Sequence, residues 1–424
     1  MKLFSSSLRL SLQMSAEVGF FLLFAGYVLY QYSVAVGWLS TSSSGYFAGV
    51  AIFFSILGLI HIVSRISVRG GSVPFLEMLL YTYLLYLTVF SIISGIFISG
   101  QTHGSVALYE AFGTILIWIA VYFIGANLRP VVQDISFFYV AQIVLLLGCF
   151  ANAMFHQGFP LGPFITFSSL SENGAEGATY QGIGRSILVM TILLVSYFKR
   201  FTLQFAIIMT GLLILTTLGS RSHLFALASL LVLHFSLMGI RRLKLYQTVL
   251  SFCLIVAFGF LTKDFFLDTR AAEIFDLAES SSWRARKDIF VASLRIVSDS
   301  PIFGDFGYHL RESAGYAHNL LSAWTEFGIL GILFFLALMI SAVCVSGYRV
   351  IIYQKHHGIW LFAFHINVVA LFLAITTEPI FASVLPALGW GLTVQGMKME
   401  ETQSNSRLYA DDSARGNRLK PMGT

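Results

Sequence analysis

The chain has 424 residues, of which 57% are hydrophobic and only 11% charged, and its formal net charge is +5. Soluble domains carry about 25% charged residues, so a water-facing globule of this size is excluded; lipid must cover what the charges cannot. The excess of Lys and Arg is a topology signal and not a nucleic-acid footprint, because these residues cluster in short loops.

Apolar segments of about 20 residues span a bilayer. In chain order they fall at 18–39, 45–64, 75–98, 106–126, 135–155, 184–198, 201–218, 222–238, 245–262, 319–346, 357–376 and 380–397. The expected fold is an all-α polytopic membrane protein with about twelve transmembrane helices. A large loop, 263–318, separates the ninth from the tenth. Residues 1–400 form one transmembrane domain on this basis, and the polar segment 401–424 is expected to be a disordered cytoplasmic tail. No small-residue cleavage site follows the first apolar run, so that run is expected to act as its own insertion signal. The pair at 201–238 is broken only by Gly219-Ser220-Arg221-Ser222, which predicts a helical hairpin tip.

The charges then orient the chain. Lys2, Arg9, Arg65, Arg69, Arg129, Lys199, Arg200, Arg241, Arg242, Lys244, Arg349, Lys355 and the cations beyond 397 share one side if both termini are cytoplasmic. The loop 263–318 then faces the opposite, non-cytoplasmic side. The cations left there lie in this loop, apart from Arg185 and Arg221.

Those two arginines run against the positive-inside bias. A guanidinium is always charged and binds phosphate with a bidentate fork. With Arg284 and Arg286, on an amphipathic helix expected at 283–298, Arg185 and Arg221 are candidates for a shared phosphate site. The plainer readings are snorkelling to head groups or a structural ion pair. His318, in Ala317-His318-Asn319-Leu320, stands where the tenth span begins. A neutral imidazole there can take a proton from a hydroxyl; a satisfied interfacial side chain is the alternative. Glu326 would lie about 12 Å along a continuous helix from His318. It is therefore expected to be a structural partner for a polar group on a neighbouring helix, with Gly328 and Gly331 allowing close approach. Glu378-Pro379 reads as a helix boundary. Cys149, Cys253 and Cys344 lie in apolar runs and read as small buried residues, with no metal-ligand spacing.

Pro301-x-x-Gly304, Ala317-His318-Asn319-Leu320 and Glu326-x-Gly328-x-x-Gly331, with Gly219-Ser220-Arg221 at a hairpin tip, resemble the signature of the O-antigen ligase and polymerase superfamily. The resemblance implies a metal-independent glycosyltransferase without cofactors. It would move a glycan from an undecaprenyl-diphosphate carrier to a sugar hydroxyl, with inversion at the anomeric carbon. On the resemblance, Arg185 and Arg221 hold the diphosphate and Arg284 and Arg286 assist. His318 activates the acceptor, and Asn319 orients the acceptor or the imidazole. Glu326, Gly328 and Gly331 are structural. The expected activity is an O-antigen or exopolysaccharide polymerase; ligation onto lipid A-core is the alternative. The expected partners are the lipid-linked donor, a glycan or lipid A-core acceptor and membrane lipids, with no nucleic acid. The rival from another class is a transporter of lipid-linked glycans, which would place cations in a central cavity between broken helices.

Overall fold

A computed structural model describes residues 2–36, 38–39, 43–69, 74–98, 104–128, 137–157, 180–242, 281–311, 317, 319–354, 358–381 and 383–418. Every regular element among the described residues is a helix. In chain order these are α1 (Lys2–Leu23), α2 (Ala25–Ala35), α3 (Ser43–Arg69), α4 (Phe75–Ile98), α5 (Gly104–Asn127), α6 (Phe137–Gln157) and α7 (Tyr180–Tyr197). They continue with α8 (Phe201–Thr217), α9 (Arg221–Arg242), α10 (Ser281–Asp299), α11 (Tyr308–Arg311), α12 (Leu321–Ile351), α13 (Ile359–Thr376) and α14 (Leu385–Arg418).

Five of the described helices contain a stretch long and apolar enough to cross a membrane: Gly45–Ser67, Phe75–Phe97, Gly104–Asn127, Leu321–Ile351 and Ile359–Thr376. The α1–α2 pair, bent by 40°, makes a sixth if it is one span. Shorter apolar helices run over Tyr139–Asn152, Gln181–Tyr197, Phe201–Thr217 and Arg221–Leu237. The expected ninth span, 245–262, lies outside the described residues, as does the loop 263–318 apart from 281–311 and 317. The first expected span is broken at Phe24, whose φ −117° and ψ −81° leave the helical region. The segment expected to be a disordered tail instead continues α14 as helix to Arg418. No proline follows Pro386 until Pro421, so nothing in between removes a ladder hydrogen bond.

α5 is the hub, packed against α3, α4 and α14. Trp118 of α5 is buried between Phe335 of α12 and Trp390 of α14, with ring centroids at 5.8 and 5.5 Å. Its indole N–H donates to the Ser383 carbonyl at 2.7 Å, which satisfies the polar edge of a ring in an apolar bundle. Within lipid, helices associate through close packing rather than through expulsion of water. Gly125 and Gly391 supply that closeness where α5 meets α14: a Cβ on Gly391 would stand 2.5 Å from the Tyr122 carbonyl oxygen. Many large apolar side chains face outward, among them Ile52, Phe53, Ile56, Leu85 and Phe97. Cys149 is buried, whereas Cys344, expected to be buried, is exposed on the outer face of α12; Cys253 lies outside the described residues.

Polar contacts mark the two ends of the bundle. At one end Arg65 pairs with the fully buried Glu77 at 2.7 Å, and the Tyr122 hydroxyl donates to the same carboxylate at 3.2 Å. Lys398 donates to the Ala126 carbonyl at 3.0 Å, and Arg349 pairs with Glu400 at 3.0 Å. Deep in the bundle His234 and His365 meet at 3.3 Å. There too the Asn367 amide donates to Ser346 and Thr393, tying α13 to α12 and α14. The opposite end carries the candidate site.

Candidate functional site

The site is built on a break in α12. Gly328 has φ 67° and ψ −171°, a conformation essentially restricted to glycine. In a regular helix the Ile329 N–H would bond the Thr325 carbonyl. The break frees both groups, and the loop ahead of α12 takes them up. Ile329 N donates to the Ile302 carbonyl at 3.1 Å, and the Asp305 N–H donates to the Thr325 carbonyl at 2.6 Å. The Trp324 indole adds a bond to the Pro301 carbonyl at 2.8 Å. Gly304, at φ 65°, lies so close to Trp324 and Thr325 that a side chain would meet their carbonyls. The segments Pro301–Gly304 and Glu326–Gly331 are thus one interlocked unit. The expectation that Gly328 and Gly331 admit a neighbouring helix is corrected here. Backbone of the 302–303 loop sits against Gly328, and Phe327 of the same helix sits against Gly331.

This docking delivers His309, on α11, between two carboxylates. His309 Nδ1 is 2.7 Å from Glu326 Oε1, and its Nε2 is 2.8 Å from Glu110 Oε2. The other oxygen of Glu326 accepts the Gly307 N–H at 2.8 Å. A carboxylate facing each ring nitrogen requires a proton in each contact, which an imidazolium supplies. Burial opposes the charged ring, but Glu110 and Glu326 outweigh it and push His309 up to about 9. Glu326 is therefore the partner of His309, and its helix is not continuous between residues 319 and 329 in the way a simple rise per residue assumes.

A second cluster joins the ends of α7, α9 and α13. Arg185 Nε lies 4.0 Å from Glu378 Oε1, and His223 Nε2 lies 3.6 Å from the same oxygen. Ser383 donates to Glu378 Oε2 at 2.8 Å. Burial alone would raise the Glu378 carboxyl, but His223, Arg185 and Ser383 outweigh it and hold it below the usual carboxylate range. Glu378 stands just past the end of α13, at the helix boundary expected there, and is also an anionic hub. Ser220 Oγ is 2.8 Å from His223 Nδ1, which completes a Ser–His–Glu row. Ser220 is only 1% exposed, so the row lacks the accessible nucleophile that acyl transfer requires.

The two clusters face one cavity of about 540 Å³. Arg185 and Glu110 both line it, and most of its wall is apolar: Phe47, Ala51 and Ile52 from α3, Phe112 and Ile117 from α5, with Phe381 and Val384. Arg185 is part-buried, and its Nε–H meets no hydrogen-bond acceptor among the described residues. A buried donor without an acceptor is costly. The nearest anion to it is Glu378 Oε1, 4.0 Å away.

The other expected site residues fall as follows. Arg221 opens α9 next to Ser220, at the same end of the bundle as Arg185. Arg284 is exposed and Arg286 half-buried on α10, which packs against α12. None of these three lines the cavity. His318 lies outside the described residues; the flanking Ala317 is buried. Asn319 stands just ahead of α12, its Oδ1 accepting the Leu321 N–H at 3.0 Å. Sequence reasoning missed Glu110, His309 and His223. A lone carboxylate near the start of an apolar helix was the available signal for Glu110, but nothing local distinguishes His309 from other loop histidines.

The fold defines a multi-pass α-helical membrane protein with a polar site at one end of the bundle. Comparison with models of known protein families, and with curated protein sequences, finds no match to this chain.

Proposed function

We propose that the protein is a glycosyltransferase of the bacterial inner membrane that polymerises lipid-linked glycan at the periplasmic face. The observation that carries this reading is Arg185: a guanidinium on the wall of a largely apolar cavity of about 540 Å³. An undecaprenyl-diphosphate donor has the matching chemistry, an anionic head on an apolar chain. Arg185 would bind the diphosphate and stabilise the charge that develops as it leaves. Arg221 supports the same charge from the neighbouring hairpin tip. The acceptor hydroxyl attacks the anomeric carbon as the bond to the diphosphate oxygen breaks, with its electron pair going to the diphosphate. His318 takes the hydroxyl proton. A single in-line displacement inverts the anomeric centre. The topology of about twelve spans, with cytoplasmic termini, belongs to the same proposal. It draws support from the gathering of Arg65, Lys398 and Arg349 at the end of the bundle remote from Arg185.

The test is transfer by the purified full chain in nanodiscs, supplied with undecaprenyl-diphosphate-linked oligosaccharide. Ladders of repeat units support the reading, and their absence with intact protein and donor overturns it. Surface glycan from a deletion strain separates the acceptors. One repeat unit on lipid A-core indicates a polymerase; bare lipid A-core with polymer retained on the carrier indicates the ligase alternative.

A further inference from the structure

We infer that Glu110 is the carboxylate that binds the acceptor sugar through its hydroxyl groups, an assignment that rests on the transferase reading above.

Three observations lead there. First, Glu110 lines the same cavity as Arg185, so the cavity carries one cationic and one anionic side chain on otherwise mainly apolar walls. An arginine recruits the diphosphate and repels nothing in a neutral sugar. A carboxylate would repel the diphosphate and has a role only toward groups that donate. Second, Glu110 is held in place. Its Oε2 accepts from His309, which is anchored through Nδ1 to Glu326, which is anchored in turn to the Gly307 N–H. The Glu110 side chain is nonetheless 32% exposed while those of His309 and Glu326 are 5% and 2% exposed. The row therefore presents one carboxylate outward and buries its supports. Third, the surroundings suit a pyranose ring. Tyr109 and Phe381 also line the cavity, and the Phe381 ring lies 5.6 Å from that of His309. Sugars are held by carboxylates that accept hydroxyl protons in short charge-assisted bonds, with aromatic rings against their apolar faces.

The row could instead serve purely as a clasp for the 301–311 loop. Glu110→Gln separates the two roles, because the amide oxygen still accepts from His309 while the charge is gone. The experiment uses the full chain in nanodiscs, with lipid-linked oligosaccharide from host membranes as donor at saturation and the oligosaccharide released from it as the varied acceptor. Glu110→Gln is expected to raise the acceptor KM about tenfold or more, with kcat changed much less and binding of undecaprenyl diphosphate unchanged. Glu110→Asp, which keeps the charge on a shorter arm, should fall between. An unchanged acceptor KM in Glu110→Gln overturns the inference. So does a parallel loss of undecaprenyl diphosphate binding, or a drop in melting temperature that accounts for the whole effect. If instead the wild-type protein binds undecaprenyl diphosphate no better than Arg185→Ala does, the transferase reading itself falls.

Discussion

Ile302 and Gly328 meet backbone to backbone, and this contact decides where the site stands. The Ile302 carbonyl accepts the Ile329 N–H at 3.1 Å, and any Cβ at residue 328 would overlap that carbonyl. Without the contact, the loop bearing His309 would lose its seat on α12. Gly328→Ala is expected to destabilise the fold by more than about 1–3 kcal/mol, the range for forcing a side chain into such a backbone conformation alone. Thermal melting in detergent measures it, and a variant that melts with the wild type would contradict the assigned role.

Seating of the loop should depend on pH through His309. Its folded-state value, near 9, lies above the ordinary value of 6.5. A raised value means that the charged ring stabilises the fold. That contribution is complete below about 6.5 and fades as the pH rises through about 9, because the unfolded chain has by then already lost the proton. The groups that face the ring are Glu110 and Glu326. Melting temperature should therefore fall between pH 7 and 10 in the wild type, and fall less over that window in His309→Gln. Parallel curves for the two proteins would show that another group is responsible.

Arg185→Ala should weaken binding of undecaprenyl diphosphate by about 10–100-fold, the range expected for losing a hydrogen bond to a charged group. Arg185→Lys keeps the charge but loses the planar fork, so it should recover only part of the affinity. Binding measured in nanodiscs at two salt concentrations checks both. Equal affinity in all three proteins would remove Arg185 from the donor site.

At the other end of the bundle, Arg65 satisfies a carboxylate that has no exposure at all. Arg65→Ala strands Glu77 in an apolar interior and should cost about 3–5 kcal/mol. The double variant Arg65→Met with Glu77→Met removes both charges and should be much less destabilised. A single variant as stable as the double would show that the charge of Glu77 is met elsewhere, for instance by the Tyr122 hydroxyl.

Much of the architecture was legible in the sequence, because lipid imposes a simple demand. Any backbone in hydrocarbon must satisfy its own hydrogen bonds, so long apolar runs become helices regardless of their neighbours. The break of the first span at Phe24 and the helical continuation past residue 400 escaped that rule, since both depend on local backbone choices within compatible sequence. The glycines at 304 and 328 stood out as a pattern, but their purpose did not. A pattern in one dimension cannot say that the loop, and not a helix, fills the space beside Gly328.

The sequence by itself determined the class of the protein, the apolar helices, and the presence of isolated charges such as Arg185, Glu326 and Glu378 that an apolar bundle can hold only with partners. Only the tertiary structure decided who those partners are. Glu326 and Glu110 converge on His309 from positions 17 residues downstream and 199 residues upstream, and Glu378 gathers Arg185 and His223 from two other helices. Such pairings follow from which helix ends the bundle brings together. Helix packing sets that across the whole chain, and no local spacing records it.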